Sequence, residues 1–264
     1  MSGARAIGTT RRKDTVSDKR IWLDLDSNIE SWNPPDDVSA AFLCAAVSSL
    51  DQCRVAPDRS RAVNVHNTAR IAAKLVDKGC MVVFPSTNLV YDGTVPFRRP
   101  EEKVCPATEY GRQKAETEQR LLFLGSVAVV RLTKVLPTNA PLFADWREKL
   151  LDGKAIQPFS DMAFSPLPLQ FVTEVLMKVV KNELRGIIQV SADRDITYED
   201  AARFMAGRLN ASPAQVQPIQ ATALKGRTFE AVPQFTTLEI TRLRTELQLT
   251  PPDVWSTIGM ACAL

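Results

Sequence analysis

Tyr110 stands four residues before Lys114 in the stretch YGRQKAETE (110–118), which is otherwise built mostly from helix formers. Of the three tyrosines, at 91, 110 and 198, only this one has a lysine four positions on. Four-residue spacing puts both side chains on one face of a helix. A free phenol ionises near pH ~10, too high for easy proton exchange at neutral pH. An ammonium about one turn away favours the phenolate and lowers that value. The pair therefore suits proton transfer to or from a substrate oxygen. A hydroxyl to hold that oxygen stands earlier in the chain. The run "PSTNLVYDG" (85–93) places Ser86, Thr87 and Asn88 at the end of an apolar stretch, and Thr87 would bond the oxygen being protonated.

Elements that could position these residues are readable from the apolar pattern. "IWLDLD" (21–26), "AAFLCAAV" (40–47), "MVVFPS" (81–86), "VAVVRL" (127–132) and "IIQVS" (187–191) are continuous rather than alternating, as expected of strands buried on both faces. Helical periodicity predicts helices over 64–78, 108–124 and 168–182. Strands alternating with helices predict an α/β fold with a doubly wound parallel sheet, whose ligands bind beyond the carboxyl ends of the strands. Further on, "TYED" (197–200) and "TTLE" (236–239) read as capping-box starts of two more helices. Long proline-bearing loops are expected at 136–168 and 211–235. The domain division expected is a Rossmann-like core over 1–140 and 166–192, with a smaller, mostly helical lobe over 141–165 and 193–264.

Composition narrows the function. A net charge of +3 with scattered basic residues argues against nucleic acid as a partner. No apolar run reaches the length of a membrane span and no signal-peptide core opens the chain, so a cytoplasmic protein is expected. The five cysteines (44, 53, 80, 105, 262) form no CxxC and have one histidine, His66, to join them; they read as reduced thiols rather than metal ligands.

The residues around Tyr110 resemble the extended short-chain dehydrogenase/reductases, closest to the dTDP-4-dehydrorhamnose reductase branch. "STNLVYDG" (86–93) and "PATEYGRQKAETE" (106–118) carry the likeness most specifically. It extends through "CAAVSSLDQC" (44–53), "VNVHNT" (63–68), "VVRLTKVL" (129–136), "GIIQVSADRDITYEDAARFMA" (186–206) and "TTLEITRLRTEL" (236–247). The resemblance implies a nucleotide-sugar substrate whose keto group is reduced by hydride from NADPH, with Tyr110 as proton donor and Thr87 holding the carbonyl. Lys114 would lower the pKa of Tyr110 and bond the nicotinamide ribose, and Asn64 would support Lys114 through water or backbone unless it is only a helix cap. Asp24 and Leu25 would flank the adenine, with Ala45, Ala46 and Val47 along the cofactor. Asn88 and Trp146 would contact the substrate, Trp146 alternatively being packing. The resemblance is compatible with a homodimer.

One further run bears on cofactor choice, and two features depart from the family pattern. "AIGTTRRKD" (6–14) resembles the family's second strand and following loop, where Arg11 and Arg12 would accommodate a 2′-phosphate and favour NADPH over NADH. Before it stand only "MSGAR" and no G-x-x-G-x-x-G, so the first strand and its phosphate-binding turn are missing. Either about 25 residues of a βα unit are lost from the recorded start, or the chain is a cofactor-poor relative. Weak dinucleotide binding is expected in both cases, and loss of a mid-sheet strand should leave its neighbours with unpaired backbone groups. Thr87-Asn88-Leu89 also lacks the acid pair a dehydratase would need. A reductase, an epimerase and a non-catalytic binding protein of the same fold therefore all remain in view.

Overall fold

The computed structural model describes residues 5–224 and 229–263; Gly3, of the opening "MSGAR", lies outside them. The chain begins with β1 (Gly8–Thr10) and β2 (Arg20–Trp22), paired in parallel as a two-stranded sheet. β3 (Ala40–Phe42) is followed by α1 (Leu50–Val55), α2 (Pro57–Arg61), a π-helical segment (Ala62–Asn67) and α3 (Thr68–Asp77). Then come β4 (Met81–Thr87), α4 (Glu109–Leu122), β5 (Val127–Leu132), β6 (Lys134–Leu136) and α5 (Pro141–Leu151). The remainder comprises β7 (Ala163–Phe164), β8 (Pro166–Pro168), α6 (Leu169–Lys181), β9 (Gly186–Val190), β10 (Ile196–Thr197), α7 (Tyr198–Arg208), α8 (Thr241–Thr245) and α9 (Val254–Cys262).

The centre is a four-stranded parallel sheet in the order β3-β4-β5-β9. Every residue of β5 and all but Pro85 of β4 are buried, as their unbroken apolar sequences require. On one face Ile71 and Leu75 of α3 and Leu121 of α4 pack with Val82, Phe84 and Val129. On the other, Val172, Val175 and Val179 of α6 pack with Val83, Val130 and Ile188. With helices on both faces of a parallel sheet, this is the doubly wound, Rossmann-like α/β fold.

The N-terminal strands depart from expectation. The runs 21–26 and 40–47 form strands of only three residues each, β2 and β3, and Phe42 is 38% exposed. Among the described residues no strand is hydrogen-bonded between β1 and β3, so each is an edge. Without a second neighbour an extended run has no ladder to satisfy its backbone groups, and it ends early.

Two other expectations change. The segment 136–168 is not a long loop, since α5 lies within it, started by Pro141 in its first turn. "TYED" does form a capping box, Thr197 with Asp200, at the start of α7. "TTLE" does not. The Thr236 and Thr237 amides and hydroxyls all donate to the Asp195 carboxylate (2.6–3.2 Å), so neither threonine is free to cap, and α8 starts only at Thr241. No helix among the described residues is long and apolar enough to cross a membrane.

Candidate active site

Thr87 is the last residue of β4 and caps the short 3-10 turn Asn88–Val90. Its Oγ1 accepts from the Leu89 amide (3.2 Å), which leaves the hydroxyl proton to be donated elsewhere. Helix α4 is docked against this turn. Thr108 caps it by accepting from Gly111 N (3.1 Å). A Cβ on Gly111 would lie 2.1 Å from the Leu89 carbonyl oxygen, so only glycine lets the helix start come this close. Tyr110 therefore sits in the first turn of a helix pressed onto the residues that follow Thr87.

Lys114, one turn on, is 5% exposed; its Nζ donates to Pro85 O of β4 (2.7 Å) and lies 4.1 Å from the Phe84 ring centroid. The ammonium is 5.9 Å from the centre of the Tyr110 ring. The expected lowering of the Tyr110 pKa is not what this geometry gives. Burial disfavours the phenolate and pushes Tyr110 up to about 12, with the Cys53 thiol adding to the effect. Burial likewise brings Lys114 down to about 8, opposed by the charge of Glu118. The lysine's hydrogen bond goes to a strand carbonyl rather than to the phenol.

A pH dependence follows. Lys114 is charged below about pH 8 and neutral above it. If the ammonium is the active form, kcat/KM for ketone reduction should fall through a basic limb near pH 8, because that ratio reports the groups of the free enzyme. Lys114→Met should abolish this limb along with most activity. A wild-type profile flat from pH 7 to 9.5 would contradict the role.

The inward face of α4 is polar: Gln113, Lys114, Thr117 and Glu118 are all buried. Gln113 is completely buried, donates to Ser60 Oγ (2.8 Å) and Glu109 Oε1 (3.0 Å), and accepts from Asn64 Nδ2 (2.8 Å). The Asn64 side chain is not a helix cap, and its direct partners are Val47 and Gln113. It lies inside the π-helical turn, its Oδ1 accepting from Val47 N (2.8 Å) and its Nδ2 donating to Val47 O (2.9 Å). It thereby ties the segment after β3 to α4 through Gln113. Neither Gln113 nor this arrangement was read from the sequence. The signal was there, because a helix whose buried stripe is polar must spend those groups on something specific.

Beneath them lies a buried ion pair. Arg131 of β5 donates to both Glu118 oxygens (2.8–3.2 Å), and both side chains are 3% exposed. Ser86 Oγ also donates to Glu118. Arg131 Nη1 donates to Tyr91 Oη (2.8 Å), whose hydroxyl donates to Arg99 O (2.7 Å), so the network runs from α4 into the loop after Thr87.

A cleft of about 730 Å³ opens between the β1–β2 pair and the segment after β3. It brings together Arg11, Asp24, Leu25, Ala45, Ala46 and Val47. Arg12 is not part of its lining and instead pairs with Asp14 (2.7 Å). Arg59 of α2 lines the cleft, paired with Asp26 (2.5 Å), and was missed because only the fold brings it there. Trp146 is 6% exposed and packs edge-on against Phe143, ring centroids 5.5 Å apart; it is a core residue rather than a substrate contact. Asn88 is half-buried and borders a small crevice with Arg98 and Phe235. Thr87, Tyr110 and Lys114 lie outside the large cleft, joined to it through Val47, Asn64 and Gln113.

Comparisons with known proteins agree with this fold. The family model for the RmlD substrate binding domain matches residues 26–261. A dTDP-4-keto-6-deoxy-D-glucose reductase of Streptomyces niveus is 26% identical over 220 residues, 81% of this chain and 75% of that protein. Methionine adenosyltransferase 2 subunit beta of Xenopus tropicalis is 24% identical over 67% of this chain, which spans only 56% of that protein's length. Among solved structures, a dTDP-4-dehydrorhamnose reductase of Bacillus anthracis in complex with NADP superposes with a TM-score of 0.75 at 21% identity, covering 83% of this chain and 78% of that one.

Proposed function

The chain belongs to the RmlD substrate binding domain family, a branch of the extended short-chain dehydrogenase/reductases, and on that premise we propose that it is an NADPH-dependent reductase of a nucleotide-linked 4-keto-6-deoxy sugar. The observation that supports this reading is the close docking of the first turn of α4, which carries Tyr110, on the turn that follows Thr87 at the carboxyl end of β4. Thr87 would donate to the substrate carbonyl and polarise it. Tyr110 would deliver a proton as the oxygen becomes an alkoxide. At neutral pH its phenol is fully protonated, and at a pKa of about 12 it remains a stronger acid than an alcohol, whose acidity is roughly that of water, ~15.7. Lys114 would hold positive charge under the site below about pH 8. Residues 141–165 and 193–264 would form the lobe that takes the sugar nucleotide.

The cleft fits the adenosine half of a dinucleotide, with Asp24 and Leu25 on one wall, Ala45 to Val47 on the other, and Arg11 and Arg59 as cations for phosphate. When bound, NADPH supplies the hydride. Between β1 and β3, however, no strand and glycine turn stand among the described residues to bring backbone amides to the pyrophosphate. Calorimetric titration should therefore give NADPH affinity weaker than micromolar. A micromolar or tighter Kd would contradict that expectation.

A non-catalytic binding protein of the same fold is the second reading, favoured by the Lys114 ammonium, whose hydrogen bond goes to Pro85 O rather than to the phenol. Turnover of dTDP-4-keto-6-deoxyglucose at millimolar NADPH decides between them: the reductase consumes NADPH in proportion to product, and the binding protein consumes none.

A further inference from the structure

The start of α4 is held from far along the chain. Its own cap, Thr108, serves the Gly111 amide, whereas the first amides of a helix find no partner within it. The Glu109 amide, one residue before Tyr110, donates to the carboxylate of Glu230 (3.1 and 3.4 Å to its two oxygens), 121 residues away in sequence. The Glu230 side chain is only 17% exposed, and Arg112 Nη2 of α4 lies 3.6 Å from the same carboxylate. An acid at this end of a helix also complements its dipole.

Glu230 belongs to a strap, residues 229–237, that touches three parts of the molecule. On the side of the lobe, Phe229 packs edge-on against Phe159, ring centroids 5.3 Å apart, and Pro233 O accepts from Ala163 N (3.0 Å). On the side of the core, the Gln234 and Phe235 amides both donate to Gly93 O (3.0 and 2.9 Å), in the loop that follows Thr87. A Cβ on Gly93 would lie 2.6 Å from Pro233 Cβ, so the strap rests on that loop with no space between them. At its far end Thr236 and Thr237 are held by Asp195. One short segment thus reaches the loop after the hydroxyl and the residue before the phenol, while packing on the lobe.

We propose that Glu230 is a positioning residue for Tyr110: by holding the Glu109 amide it ties the first turn of α4 to the strap, and so fixes the phenol relative to a sugar bound in the lobe. The role rests on the reductase reading above, in which the lobe takes the sugar nucleotide and Tyr110 gives the proton. Glu230 acts through the helix rather than on the substrate. Such a tie matters because misplacing a reacting group by about 1 Å can cost about 10²-fold in rate.

The test is steady-state reduction of dTDP-4-keto-6-deoxyglucose at millimolar NADPH, with near-UV circular dichroism to verify folding. Glu230→Ala removes the acceptor, whereas Glu230→Gln keeps a side-chain oxygen that can accept from Glu109 and removes only the charge. Glu230→Ala is expected to lower kcat about 10–100-fold with KM changed about threefold or less, and Glu230→Gln to keep kcat within about threefold of wild type. In a Tyr110→Phe background Glu230→Ala should cost less than about threefold more, because an acid already removed cannot be misplaced. Amide exchange followed by NMR reads the tie without turnover: the Glu109 amide should exchange faster in Glu230→Ala than in wild type or Glu230→Gln. Should Glu230→Ala not fold, Glu230→Asp, which withdraws the carboxylate by one methylene, is expected to show the same fall in kcat to a smaller degree. Equal kcat in wild type and the folded variant, or equal exchange at Glu109, would overturn the role. So would full additivity of Glu230→Ala with Tyr110→Phe, the mark of a contact that does not act through the phenol. Folded wild type that reduces no ketone would defeat the reductase reading and this role with it, an outcome distinct from the others.

Discussion

Replacing Tyr110 with Phe is expected to lower kcat/KM for the keto sugar by about 10²–10⁴-fold, the usual worth of a positioned general acid. The loss should fall on kcat, because the proton is needed only as negative charge develops on the oxygen. The fold should be unaffected. The hydrogen bonds that fix the start of α4 run from Gly111 to Thr108, Glu109 to Glu230 and Gln113 to Ser60, and none uses the phenol oxygen. Burial matters to this role in a way the spacing of Tyr110 and Lys114 does not convey. A phenol raised to about 12 is a poor base at neutral pH but a proton donor in its correct form across the whole physiological range. The reverse oxidation, which starts from the phenolate, should be faster at alkaline pH. Steady-state kinetics of the purified Tyr110→Phe protein check the prediction; turnover within threefold of wild type would remove Tyr110 from the mechanism.

The second large effect concerns stability. Arg131→Met should reduce the free energy of unfolding by about 3–5 kcal/mol, because it leaves the Glu118 carboxylate buried without its partner. Both side chains are 3% exposed, so water cannot take over the lost bonds. Against a typical total of about 5–15 kcal/mol, such a loss brings the protein close to unfolding at ambient temperature. The double variant Glu118→Leu/Arg131→Met should recover much of the loss, since apolar replacement of a buried pair is often neutral. Urea denaturation measures both. A single variant as stable as wild type would mean that the pair is hydrated in solution. The pair also bears on chemistry. Glu118 opposes the burial that lowers the pKa of Lys114, so Glu118→Gln should move the basic limb of the pH profile below 8.

What the sequence disclosed follows from how far each signal reaches. β4 and β5 were legible because burial on both faces leaves a continuous apolar run, and both are buried along nearly their whole length. α4 was legible from its run of helix formers, and Tyr110 with Lys114 from their spacing together with the family resemblance around them. The Glu118–Arg131 pair was not, because its members lie on different elements and meet only once helix α4 packs on β5. The bonds of Asn64 to Val47, 17 residues away on another segment, were out of reach of local rules for the same reason. Thr236 and Thr237 looked like a cap by local rules, but Asp195, 41 and 42 residues earlier, competes for their donors. For Trp146, offered as a substrate contact or as packing, the core decides for packing. The run 21–26 shows that an apolar stretch becomes a strand only as far as a neighbour exists to pair with it.

The central assignment is that Thr87, Tyr110 and Lys114 deliver a proton to a ketone that receives a hydride. It is tested most directly by incubating the protein with dTDP-4-keto-6-deoxyglucose and NADPH deuterated at both C4 positions, at millimolar concentration, followed by mass spectrometry of the product. Wild type is expected to yield a sugar carrying one deuterium at C4, and the Tyr110→Phe protein almost none in the same time. Unlabelled or unconverted sugar from folded wild type would contradict the assignment.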